Sequence, residues 1–158
     1  MSIEIIEASL EQAALVQRVM RAAFAQYDSN AKPAFAAHRE TLADVTAAMR
    51  AGGALLAMYD EEPIGSARYR LYLDKFVIER VAVIPECQGQ GVASLMMEEL
   101  EAVAAAYGYM RTELCSRVSL PHNIAFYRKR GYDIVTTDAE TGKVTMMKWL
   151  VEQALVQP

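Results

Sequence analysis

Val81-Ala82-Val83-Ile84-Pro85-Glu86-Cys87-Gln88-Gly89-Gln90-Gly91-Val92-Ala93 decides the fold of this chain. An apolar, β-branched run stops at a proline, crosses a polar turn spaced by glycines, and opens an amphipathic segment near Gly91. These are a strand, a loop and a helix start. Helix N-termini carry unpaired backbone N–H groups and a partial positive charge, so the loop suits a phosphate-bearing ligand.

Downstream, Val92, Met96, Leu100, Val103, Ala104 and Tyr107 recur at helical spacing, and Gly108 ends that helix. A strand from Tyr109 to Cys115 follows the helical crossover and should therefore lie parallel to the strand ending at Ile84. Ser119 to Arg130 reads as a short helix capped by Ser119 with Pro121 near its start. Tyr132 to Thr137 and Lys143 to Leu150 close the chain as a hairpin around Asp138 to Gly142.

Upstream, Ile3 to Glu7 is a first strand, and Ser9 with Gln12 forms a capping box for a helix reaching about Tyr27. Asp28 to His38 is a loop, Thr41 with Asp44 caps a second helix, and Gly52-Gly53 stops it. Ala54 to Tyr59, Ile64 to Leu73 and Phe76 to Ile84 form an antiparallel meander. In its middle member Ala67, Tyr69, Leu71 and Leu73 share one face, and Ser66, Arg68, Arg70 and Tyr72 the other.

The 158 residues fit a single domain spanning 1–158, and 53% hydrophobic with 23% charged residues is ordinary for a globular protein. A net charge of −4 leaves no surplus for a nucleic-acid face and points to a cationic or neutral substrate. Cys87 and Cys115 form no C-x-x-C pair and lack histidine companions, so no metal site is expected. Neither a secretory leader nor an apolar run of about twenty residues is visible, which makes a reduced, cytoplasmic protein without a membrane span the expectation.

No Gly-Lys-Ser/Thr follows the glycines, and Gly89-x-Gly91-x-x-Ser94 lacks the third glycine of a dinucleotide fingerprint. Gln88-x-x-Gly91-x-Ala93, directly after Val81 to Pro85, instead resembles the acyl-coenzyme A signature of the GNAT (Gcn5-related) N-acetyltransferases. Asn123-Ile124-Ala125-Phe126-Tyr127-Arg128-Lys129-Arg130-Gly131-Tyr132 resembles the family's second motif, which carries a tyrosine. The element order β-α-α-β-β-β-α-β-α-β-β agrees over nearly the whole chain.

The resemblance implies an α/β (α+β) fold: a mixed, mostly antiparallel sheet with a central splayed pair of parallel strands, flanked by helices on both faces. It implies acetyl-coenzyme A as cosubstrate, with the pantetheine arm in the splay beside the backbone of Val81, Ala82 and Val83. The amides of Gln88, Gly89, Gln90, Gly91, Val92 and Ala93, with Ser94 beyond, would wrap the pyrophosphate. Asn123 and Phe126 would border the cofactor, Asn123 serving either as a contact or as a helix cap.

For the chemistry, Tyr127 is the general acid for the departing thiolate, its alternative being an aromatic packed beside Phe126. Glu79 is either the base that takes the amine proton, sharing a strand face with Val77, Val81 and Val83, or a strand glutamate paired with Arg80, Arg68 or Arg70. Cys87 precedes a helix start but has no adjacent histidine, and Cys115 reads as sheet packing. The resemblance implies that Phe24, Tyr27, the Asp28 to His38 loop, Arg68, Tyr69, Tyr72 and the last hairpin border the acceptor side. The resemblance also implies a homodimer, for which Met146, Met147, Trp149 and the Val151 to Leu155 tail are a candidate contact, a buried strand being the alternative explanation of their apolar character. A noncatalytic acyl-coenzyme A sensor is the rival reading, and turnover with amines separates the two.

Overall fold

The computed structural model describes residues 2–27, 31 and 35–150. Along the chain run β1 (Ile3–Glu7), α1 (Ala13–Phe24), α2 (Leu42–Arg50), β2 (Gly52–Tyr59), β3 (Glu62–Leu71), β4 (Phe76–Val83), α3 (Val92–Ala106), β5 (Arg111–Arg117), α4 (Pro121–Lys129), β6 (Asp133–Thr137) and β7 (Lys143–Trp149). This is the order expected from the sequence. The strands form one seven-stranded sheet in the order β1-β2-β3-β4-β5-β7-β6, antiparallel everywhere except between β4 and β5.

β2 shows how the layers are built. Its Ala54 and Leu56 join Val16, Val19, Met20, Val45 and Met49 of α1 and α2 on one face. Its Leu55 and Ala57 join Met96, Met97 and Leu100 of α3 on the other. Alternation along a strand puts neighbouring residues on opposite faces, so a strand buried on both sides must be apolar throughout, as this one is. Both upstream capping boxes form, Ser9 with Gln12 and Thr41 with Asp44. The first opens a 3-10 turn, Leu10–Gln12, that leads into α1.

Some boundaries differ from the sequence reading. Gly52 and Gly53 start β2 rather than merely stopping α2, because Tyr69 lies across them. A Cβ on Gly52 would stand 1.9 Å from the Tyr69 carbonyl oxygen, and one on Gly53 would meet the Tyr69 hydroxyl at 2.3 Å. Leu73 lies beyond the end of β3 and is fully exposed instead of sharing the face of Tyr69. At α4 the N-cap is Leu120 and no side chain caps the helix, so the Ser119 cap does not form.

The consequential departure is a β-bulge. Ser66 opposes Ala82 and Arg68 opposes Glu79, so β4 spends one more residue than β3 over this interval. Arg80 takes up the excess at φ 55, a left-handed conformation rare for a side-chain-bearing residue. Because the side-chain period is two, the bulge shifts the alternation: Phe76, Ile78, Val81 and Val83 pack toward α3, while Glu79 points to the α1 side, where it meets Arg68. Glu79 therefore does not share a face with Val81 and Val83.

Candidate active site

β4 and β5 are paired only at Phe76↔Thr112, Val77↔Glu113 and Ile78↔Leu114, after which the strands part. The bulge begins just there, and a bulged strand bends. The wedge between Val81–Val83 and the C-terminal end of β5 is closed below by α4 and above by α1. It holds one cavity of about 370 Å³ and a second of about 390 Å³. Phe24, Tyr27, Val81, Asn123 and Tyr127 line both. These residues stand at the junction of the two.

The second cavity has the features of a cofactor channel. It is lined by Val81, Ala82, Val83, Gln88, Ala93, Asn123, Phe126 and Tyr127. The Ile84 amide donates to the Ile64 carbonyl at 2.9 Å, with Gly65 opposite Val83. In an antiparallel ladder that geometry turns the N–H and C=O of Val83 away from β3 and into the wedge. Gln88 Nε2 donates to that carbonyl at 3.1 Å and to Gln26 Oε1 at 3.1 Å, so its side chain ties the loop to the strand edge.

At the channel mouth, Gly89 (φ 78) and Gly91 (φ 82) both lie in the left-handed region, and a Cβ on either would touch nothing within 4 Å. The glycines are thus required by conformation, and the space beside them is open. Gly91 is the N-cap of α3, and the first helical bond runs from the Leu95 amide to the Gly91 carbonyl. The amides of Val92, Ala93 and Ser94 consequently have no helical acceptor. Val92 contributes only its backbone here, since its side chain is buried in the core.

Asn123 and Tyr127 are one helical turn apart on α4 and face the junction together. Asn123 lines both cavities instead of capping its helix. Tyr127 packs edge-on against Phe126 at 5.2 Å and Tyr132 at 6.0 Å. Burial pushes its hydroxyl above the ordinary phenol range, and the neighbouring Tyr27 adds to the shift, so the group is protonated at neutral pH.

The first cavity carries the charges. Glu79, Arg80, Arg117 and Lys143 line it, with Phe24, Tyr27 and Phe35 as an aromatic wall. Tyr27 stacks on Phe35 at 5.2 Å, and the Arg117 guanidinium lies 3.7 Å over the Phe35 ring. Glu79 approaches Arg68 at 3.4 Å and Arg70 at 3.5 Å. Arg80 instead pairs with Glu40 at 2.9 Å. Glu40 also takes a forked pair of bonds from buried Arg68, at 2.8 and 3.2 Å. Burial alone would raise the Glu40 carboxyl, but the hydrogen bonds and charges of Arg68 and Arg80 outweigh it and hold the group below the usual carboxylate range.

Several expected neighbours of the acceptor lie elsewhere. Arg68 is buried beneath the wedge, Tyr69 stacks on Phe76 in the α3-side core, and Tyr72 sits past β3 under Lys75; none lines either cavity. Cys115 is exposed and faces the first cavity, so it is not sheet packing. Met146 is fully buried and offers nothing to a partner. Of the Asp28 to His38 loop, residues 28–30 and 32–34 lie outside the described residues, as does the Val151 to Leu155 tail. Arg117, Ser116 and Glu40 were not anticipated. The first two required knowing that β5 runs past Cys115 into the wedge, and Glu40 that its loop folds under Arg80.

The model of the acetyltransferase (GNAT) family matches residues 14–132. The chain belongs to this family. A curated relative from Bacillus subtilis (strain 168), described as the uncharacterized N-acetyltransferase YjcF, is 30% identical over 98 residues, covering 59% of this chain and 68% of that protein. Among solved structures, the PaiA N-acetyltransferase of Thermoplasma acidophilum in complex with coenzyme A is 20% identical, covers 94% of this chain and 99% of its own, and superposes with a TM-score of 0.81. The ribosomal-protein-S18-alanine N-acetyltransferase of Escherichia coli covers 94% of each chain at 14% identity and a TM-score of 0.76. At these identities the structures establish the fold; the family match establishes a coenzyme A-dependent acetyltransferase.

Proposed function

We propose that this acetyltransferase acts on a primary amine, with amine and acetyl donor held together at the Tyr127 junction. The observation that carries the reading is the pair of cavities meeting at Tyr127 and Asn123: one has free strand-edge and helix-start amides, the other charge and aromatic surface. An acetyl thioester supplies an activated carbonyl whose carbon–sulfur bond is exchanged for a carbon–nitrogen bond. Val83 and the amides of Val92 to Ser94 bind the donor, and Gly89 and Gly91 let backbone approach it. Holding both reactants in one wedge supplies much of the acceleration.

Tyr127 donates its hydroxyl proton toward the departing sulfur. The burial that raises the phenol also disfavours a thiolate, so donor and acceptor stay matched. The amine must shed a proton, and Glu79, lining the first cavity, receives it directly or through water. Its neighbours Arg68 and Arg70, at 3.4 and 3.5 Å, keep it oriented.

Acetyl-coenzyme A offered with polyamines, amino acids and peptide N-termini tests the reading through release of free thiol. Acceptor-dependent thiol release is expected. Donor binding without turnover on any amine would leave the noncatalytic sensor instead. Half-exposed Trp149 is a contact through which two copies would pair, and sedimentation of the Trp149→Ala variant against the parent protein tests that dimer.

A further inference from the structure

Tyr127-Arg128-Lys129-Arg130-Gly131-Tyr132 ends α4 in a pattern whose geometry ties its first residue to its last. Gly131 turns left-handed at φ 96, its amide donates to the Arg128 carbonyl at 3.0 Å, and the Tyr132 amide donates to the Tyr127 carbonyl at 3.0 Å. This is a Schellman ending, which brings the side chain that follows the glycine against one in the last helical turn. Here both side chains are tyrosines, edge-on with ring centres 6.0 Å apart.

The far end of the Tyr132 ring is anchored. Buried Tyr132 donates its hydroxyl to Glu101 Oε2 of α3 at 3.0 Å and stands 2.7 Å from the hydroxyl of buried Thr112 on β5. A phenol has one proton, so Thr112 is the donor in the second bond. Glu101 in turn accepts from Lys148 of β7 at 2.9 Å and lies 3.8 Å from Arg130. Thr112 opposes Phe76 of β4, at the base of the wedge where the two strands are still paired. Burial pushes the Tyr132 hydroxyl above the ordinary phenol range, so it remains a proton-bearing donor. A buried network of this kind holds its members in one arrangement.

A phenol aims its hydroxyl only through its ring. The Tyr127 ring rests edge-on against Phe126 and Tyr132, and of these two Tyr132 is the one that is fully buried and bonded at its tip. Building on the reading of Tyr127 as the acid, we propose that Tyr132 is its positioning residue: the Schellman turn sets the Tyr132 ring against Tyr127, and Thr112 and Glu101 hold that ring where it keeps the Tyr127 hydroxyl aimed at the junction of the two cavities. Tyr132 lines neither cavity and acts through Tyr127. The acid is thereby referenced to the base of the wedge, where β4 and β5 are joined.

A double-mutant cycle in the full chain tests this, read as single-turnover thiol release from acetyl-coenzyme A with the best-used amine among polyamines, amino acids and peptide N-termini. Tyr132→Phe keeps the ring and removes the hydroxyl. It should slow release about 10-fold with coenzyme A affinity within about 3-fold of the parent, since misplacing a reacting group by about 1 Å can cost about 100-fold and a loosened ring forfeits part of that. In the Tyr127→Phe background the same substitution should change the rate by less than about 2-fold, because the hydroxyl it positions is already gone. Thr112→Val, which removes one bond and keeps the branched shape, goes through the same cycle and should slow release about 3-fold in the parent alone; it covers the case in which Tyr132→Phe fails to fold. An unchanged rate in whichever of the two variants folds would overturn the inference. So would an equal loss in both backgrounds, the mark of a purely structural role. An unchanged rate in Tyr127→Phe by itself, or no turnover with any amine, would instead remove the reading on which the inference rests, and the inference with it.

Discussion

Replacing Glu40 by alanine should destabilise the fold by about 3 kcal/mol. Arg68 is 1% exposed and donates its forked bonds to Glu40, which is itself 13% exposed. Removing one partner of a buried pair leaves an uncompensated charge, at a cost of about 3–5 kcal/mol. The lower end applies because Glu79 remains 3.4 Å from Arg68 and offsets part of the loss. At about 2–4 °C per kcal/mol for a domain of this size, the melting temperature should drop by roughly 6–12 °C. Circular dichroism at pH 7 measures it. The double variant Glu40→Met with Arg68→Met should recover much of the loss, since it removes the stranded charge as well.

The pH dependence follows from the same residue. Its carboxyl is depressed in the folded state, so its contribution is full above the unfolded carboxylate value, about 4.3, and is lost as pH falls through the lower folded value. The gap in melting temperature between Glu40→Gln and the parent should therefore close on acidification. A drop below about 2 °C in Glu40→Ala, or a gap that does not change with pH, would refute this view of the network.

Gly91→Ala should raise the KM for acetyl-coenzyme A about 5- to 30-fold at unchanged fold, because φ 82 costs an alanine about 1–2 kcal/mol; steady-state kinetics checks it. Gly52→Ala should cost far more, since its Cβ would land 1.9 Å from a backbone oxygen, and loss of soluble protein or a melting temperature lowered by well over 10 °C is expected. The kcat should not decline between pH 7 and 9.5, because the Tyr127 phenol, raised above its usual value, stays protonated over that range; stopped-flow thiol release would record the profile.

Much of this was legible in the sequence because its signals are local. The Thr41/Asp44 and Ser9/Gln12 boxes, the glycine-spaced turn before α3, the apolar run of β2 and the alternation of β3 each encode an element within a few residues. The bulge at Arg80 left only a faint mark: the adjacent polar pair Glu79-Arg80 between Ile78 and Val81 breaks strand alternation, but the left-handed Arg80 follows from register against β3 and its pairing with Glu40. That one residue reversed the face assigned to Glu79. Gly52 and Gly53 read as a helix stop because Tyr69, whose backbone excludes a side chain at Gly52 and whose ring excludes one at Gly53, is distant in sequence. The first cavity draws on β4, β5 and β7 at once, so no single stretch reveals it.

The claim on which the rest depends is that Tyr127, at the junction of the two cavities, protonates the departing sulfur. Single-turnover thiol release by Tyr127→Phe, measured beside coenzyme A affinity by calorimetry, tests it most directly. The account predicts a rate reduced about 100-fold or more, with affinity within about 3-fold of the parent protein. An unchanged rate at unchanged affinity would contradict it.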